Sequence, residues 1–254
     1  MRALIAAAWL ATCAPALAVD NAALALFSAG KYREAAVAGI AENDAAGFAL
    51  AARAGLAAET MGDTPCLPCL ERTEGEARRA IALDPKLADG HIYLAVSLGY
   101  EARIVGLIAA RLNGYPEQAK ANLDAAIAAE PDNAWALAAS AGWNIEIVRG
   151  GGATLARWFY GASLEKGLDD FARAFAAAPD NPVLRYQYAL SLGGFDVETY
   201  RGRVEDALAR AIAAKPQSVY EKFTQVRARA LRDALKANDL KTFAQLVRHD
   251  QGYP

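Results

Sequence analysis

The sequence predicts an all-α fold: an irregular array of antiparallel helix hairpins in one domain. Three observations predict it. Helical periodicity runs along nearly the whole chain, with no convincing strand alternation. Small-residue helices end repeatedly on a proline, at Ala82-Leu83-Asp84-Pro85, Ala128-Ala129-Glu130-Pro131, Ala176-Ala177-Ala178-Pro179 and Ala213-Ala214-Lys215-Pro216. Much of the 54% hydrophobic content is alanine, which favours helix and lets helices approach closely.

The elements follow in order. Residues 20–29 and 31–41 form a first pair that turns at Gly30, and 44–60 form a third helix. A loop holds Pro65, Cys66, Pro68 and Cys69, and a helix over 73–83 ends before Pro85. A helix over 86–100, running on toward Ala110, pairs with 116–129. Then 134–148 pairs with 164–178, 181–192 with 203–214, and 219–237 with 240–249. Asp180-Asn181-Pro182 offers a cap with proline in the first turn, and Ser218-Val219-Tyr220-Glu221 offers a capping box.

The phrases carry a fixed spacing. Ala119, Leu123, Ala126 and Pro131 are spaced as Gly167, Phe171, Ala174 and Pro179 are. Ala77, Ala80 and Pro85 carry the second half of the pattern, as do Leu208, Ala211 and Pro216. Ala95, Ala141 and Ala189 each follow a phrase proline by ten residues. This resembles the tetratricopeptide repeat. Small residues let the helices of a hairpin touch, a large one fills the gap, and proline stops the second helix. The resemblance implies a right-handed superhelix whose first helices line a concave, partner-binding face. The prolines stand 46, 48 and 37 residues apart, against about 34 in the standard repeat. The excess falls near 100–114 and 149–163, which read as insertions.

A second resemblance rests on Gly142-Trp143-Asn144-Ile145-Glu146, the aromatic run Trp158-Phe159-Tyr160, Gly167-Leu168-Asp169-Asp170-Phe171 and Arg185-Tyr186-Gln187-Tyr188. This looks like the regulator-of-microtubule-dynamics group and the T components of TRAP transporters. The arginine that precedes the tryptophan in that pattern is absent here. The resemblance implies a helical bundle with an apolar cavity, and with it lipid or small apolar ligand binding.

Residues 1–18 read as a secretory signal. Arg2 begins it, Ala3 to Ala11 form a short apolar stretch, and Ala16-Leu17-Ala18 fits the cleavage pattern. The stretch is too short to span a bilayer. Residues 19–254 then form the exported domain, which suggests the bacterial periplasm. Lipid attachment at Cys13, within Leu10-Ala11-Thr12-Cys13, is the rival reading, although Thr12 is unusual there. No later segment predicts a transmembrane helix. A net charge of −2 with scattered signs offers no nucleic-acid face.

Chemistry is sparse. Cys66-Leu67-Pro68-Cys69 reads first as a local disulfide in an exported chain. A redox centre needs a β-α-β context, and a zinc site needs two further ligands. His91 and His249 lack ligand spacing, and Gly150-Gly151-Gly152 has no preceding strand and no following Lys-Ser/Thr, so it reads as a joint rather than a phosphate loop. No catalytic residue, metal or cofactor is expected. The candidate binding residues are Tyr93, Glu146, Tyr186 and Tyr188 on first helices, Trp143 on a first helix beside the insertion, and Ile104, Ile108, Trp158, Phe159 and Tyr160 in the two insertions. The insertions are expected to face each other. The sequence thus points to a non-catalytic scaffold for a protein partner, or to a carrier of a lipid or other apolar molecule.

Overall fold

The computed structural model describes residues 21–254, so the signal-peptide and Cys13 expectations lie outside the described residues. Those residues form twelve helices and no strand: α1 (Asn21–Ser28), α2 (Tyr32–Glu42), α3 (Ala45–Thr60), α4 (Leu67–Leu83), α5 (Ala88–Val105), α6 (Leu107–Leu112), α7 (Tyr115–Ala129), α8 (Ala134–Tyr160), α9 (Leu164–Ala177), α10 (Pro182–Ala213), α11 (Val219–Lys236) and α12 (Leu240–Asp250). None is long and apolar enough to cross a membrane.

Local chemistry sets the helix ends. Asp44, Asn133, Ser163, Asn181, Ser218 and Asp239 each accept a first-turn backbone N–H at an N-cap. At the predicted capping box, Glu221 Oε2 accepts from the Gln217 N–H, one residue before the cap. Each phrase proline sits two or three residues past the last residue of α4, α7, α9 or α10.

The helices pack on their neighbours along the chain, α1/α2, α2/α3, α3/α4, α5/α7, α8/α9, α10/α11 and α11/α12. The repeat positions form the seams. Ala77, Ala80, Ala95, Ala119, Leu123, Ala126, Ala141, Gly167, Phe171, Ala174, Ala189, Leu208 and Ala211 are all buried. At Gly167 a Cβ would lie 2.8 Å from Ile145 Cγ1 and 3.0 Å from the Ala141 carbonyl oxygen. Only glycine lets α9 come that close to α8.

Three expectations change. Cys69 is not in a loop: α4 starts at Leu67, because Pro68 fits the first helical turn. The helix after Pro85 does not run on through Ala110; it stops at Gly106 (φ +83°), and α6 starts anew. Residues 182–213 run almost unbroken, with only Asp196 leaving helical geometry (φ −163°, ψ 89°). Asp196 Oδ1 accepts the Thr199 N–H at 3.0 Å, so the breaking residue caps the second half.

The row of first helices curls until its ends meet. Tyr220 on α11 packs against the α1–α3 cluster, and the Thr60 hydroxyl lies 3.1 Å from the Tyr220 hydroxyl. Val219 presses on Gly30 from the same end. The C-terminal segment after α12 lies inside this curl, against α5, α8 and α10.

Candidate functional site

The first-helix candidates are used up internally. Tyr93 packs between two core clusters, and burial holds its hydroxyl protonated well above the ordinary range. Tyr188 meets Phe171 and Phe175 edge to face, with centroids 5.0 and 5.4 Å away. Tyr186 is buried, and its hydroxyl donates to the Asp250 carboxylate. Burial pushes the Glu146 carboxyl up, but the guanidiniums of Arg103 and Arg149 and the Tyr253 hydroxyl outweigh that and hold it below the usual range. Arg149 pairs with Glu146 at 2.5 Å and also donates to the Tyr253 hydroxyl.

The expected concave groove is therefore filled by the chain's own tail. Asp250 takes Arg227 and Tyr186. The Gln251 amide donates to the buried Leu190 carbonyl at 3.1 Å. Gly252 sits against the Tyr100 ring, and Tyr253 reaches Glu146. A cleft with about 30 Å³ of free space remains between this tail and the α3–α4 turn, lined by Glu59, Thr60, Tyr100 and His249. That admits a water but no lipid.

The insertions face each other, as expected, but at the surface. Trp143 stands on their inner side. Its Nε1–H donates to the Pro116 carbonyl at 3.2 Å, and its ring meets Tyr160 edge to face at 6.1 Å. Arg111 on α6 reaches the Tyr160 hydroxyl at 3.5 Å and lies over the Phe159 ring at 5.5 Å. Ile104 is half-buried at the end of α5. Outside this support the side chains are bare. Trp158 is 85% exposed, Leu112 82% and Ile108 79%, with Leu107, Leu155 and Phe159 also exposed. Ile108, Trp143 and Phe159 therefore do not close a cavity. They form one wall and its outer face.

The Cys66–Cys69 disulfide is present at the start of α4, with Cys66 as the N-cap. The Glu59 carboxylate and both sulfurs lie within 4.8 Å of one another. With the sulfurs bonded to each other they supply no thiolate, so the trio is not a ligand set in this state. Burial raises the Glu59 carboxyl above its ordinary range. His91 is held at both ring nitrogens, by Asn122 Oδ1 at 2.7 Å and the Pro85 carbonyl at 3.0 Å. His249 lies beside Asp250 at 2.9 Å.

Sequence reasoning missed two groups. Glu101 is fully buried on α5, facing Glu74 and Tyr115. Its signal was present: with Leu94 and Leu98 it continues the i, i+4, i+7 core face. The tail residues Asp250 to Tyr253 gave no signal, because their role depends on partners far away in the chain. A scan against protein-family models and a search of curated proteins find no match to this chain.

Proposed function

We propose that this protein is a non-catalytic helical-repeat adaptor that works by docking, and that its docking surface is the paired insertion, α6 with the end of α8. One observation carries the reading: of twelve large apolar side chains exposed among the described residues, six lie within 107–112 and 155–159. A patch this concentrated on an otherwise polar surface marks an interaction site. Its aromatic and arginine content is that of binding hot spots. The internal tyrosines and carboxylates are already engaged with one another, which leaves the insertions as the available face. The disulfide suits an oxidising, exported compartment such as the periplasm. The carrier alternative asks for an enclosed apolar space, whereas of the residues expected to line it Ile108 and Phe159 face solvent and Trp143 packs against Tyr160.

The test uses Trp158→Ser with Phe159→Ser. Both side chains are outside the core, so helical content should stay unchanged. In the native compartment the wild-type protein should be recovered mostly in a larger assembly, and the variant should be recovered free, a drop of about tenfold or more. If wild type and variant distribute alike, the docking reading fails.

A further inference from the structure

We propose that the surface docked by this patch is an anionic lipid bilayer, entered to headgroup depth by α6 and the end of α8. The proposal rests on the docking reading above and names its partner. The first ground is that both helices are inside out. On α6, Ala110 is buried against the body of the array while Leu107, Ile108 and Leu112 face solvent. On α8 past its break, Ala156 is buried while Leu155, Trp158 and Phe159 face solvent. Core-driven folding puts large side chains inward and small ones outward. Here the fold spends its alanines on the attachment and leaves the large residues to be buried by something else.

The second ground is charge. From Ala102 to Pro116 and from Ile147 to Leu164 there is no Asp or Glu, while Arg103, Arg111, Arg149 and Arg157 fall inside these stretches. Arg103 and Arg149 turn inward to Glu146 and Tyr253. Arg111 and Arg157 remain at the patch, and Glu117 at its edge faces the Tyr160 hydroxyl. The patch thus carries positive charge on a chain whose net charge is −2. Cations bordering exposed Trp, Phe, Leu and Ile match the layering of an anionic bilayer surface, with phosphates outside, an aromatic zone beneath, and acyl chains below that.

The third ground is attachment. Gly106 (φ +83°) and Gly152 (φ +75°) end the parent helices, and a Cβ at either would meet nothing within 4 Å. The two short helices therefore leave α5 and α8 at open joints and meet through Arg111, which reaches the Tyr160 hydroxyl and lies over the Phe159 ring, while Leu107 Cδ1 lies 4.0 Å from where a Cβ of Gly150, just before the break in α8, would be. Six residues in α6 are too few to span a bilayer, so the helix lies in the interface.

The experiment is flotation of the purified protein with vesicles of phosphatidylcholine containing phosphatidylglycerol, and with phosphatidylcholine alone. Wild type and variants carry the same N-terminus. The wild type should float with the anionic vesicles and more weakly with the neutral ones. Trp158→Ser with Phe159→Ser should weaken binding by about twentyfold or more, with a blue-shifted tryptophan emission lost alongside. Arg111→Gln with Arg157→Gln should cost about tenfold or more on anionic vesicles and little on neutral ones. Ile108→Ser with Leu112→Ser, on the other helix, repeats the apolar test with an independent fold control. Wild type that fails to float, or patch variants that float equally well, overturns the lipid proposal. If vesicles fail while the patch still governs recovery in a larger assembly, the occupant is a protein and the docking reading stands. If both fail, both fall.

Discussion

Glu101 sits on α5 where the core periodicity calls for an apolar residue, and it is fully buried. Burial first, then the neighbouring Glu74 carboxylate, pushes its carboxyl up to about 7 from 4.5. Below the unfolded value both states hold the proton and Glu101 has no effect. As pH rises from about 4.5 the unfolded chain ionises first, so folding stability falls until about pH 7 and then stays low. The full penalty is roughly 3 kcal/mol. Glu101→Gln keeps the shape and removes the charge. Thermal melts should show the wild type losing stability between pH 5 and 8 relative to this variant. Parallel pH profiles for the two would place the raised proton elsewhere. The residue was legible as a core position from Leu94 and Leu98, but its ionisation was not, because Glu74 and Tyr115 arrive from α4 and α7.

Helix boundaries were the most legible elements, because the signals that set them are local. Asn181, Ser218 and the phrase prolines act within a turn of themselves, and the helices stop and start there. The breaks in long helices were harder. Gly150-Gly151-Gly152 reads as a joint, yet helix continues through the first two glycines and only Gly152 leaves it, at φ +75° and ψ 156°. That backbone region admits glycine and little else, so Gly152→Ala should cost about 1–3 kcal/mol locally. The end of α8 anchors only a small satellite cluster with Ala156, Ala162 and Val148. The loss should therefore appear as faster amide exchange over 153–161, with the global melting temperature moving only a few degrees. A large global drop would show that this helix end supports the main core, and the patch would then have a structural role.

At the scale of the whole molecule, the sequence implied a row of hairpins but not its closure. Repeat spacing records which helix packs on the next. It carries nothing about Thr60 meeting Tyr220 or the tail meeting Tyr100, which are set by how small rotations between hairpins accumulate. The closure changes how such an array should unfold. An open array loses its repeats piecemeal, whereas this one has a segment that ties α5, α8, α10 and α11 together at once. Gly252 is the tightest point of that tie. It adopts φ +80°, and a Cβ there would lie 2.5 Å from Tyr100 Cδ1. Gly252→Ala should expel the tail, leave Glu146 and Arg149 paired with each other, and keep α12 anchored through buried Phe243 and Val247. In urea the transition should broaden, because α5, α8 and α10 no longer share one segment at the centre. Small-angle scattering should report a larger radius of gyration. An unchanged transition and radius would mean that the Thr60–Tyr220 joint closes the array by itself and that the tail only fills the space this leaves.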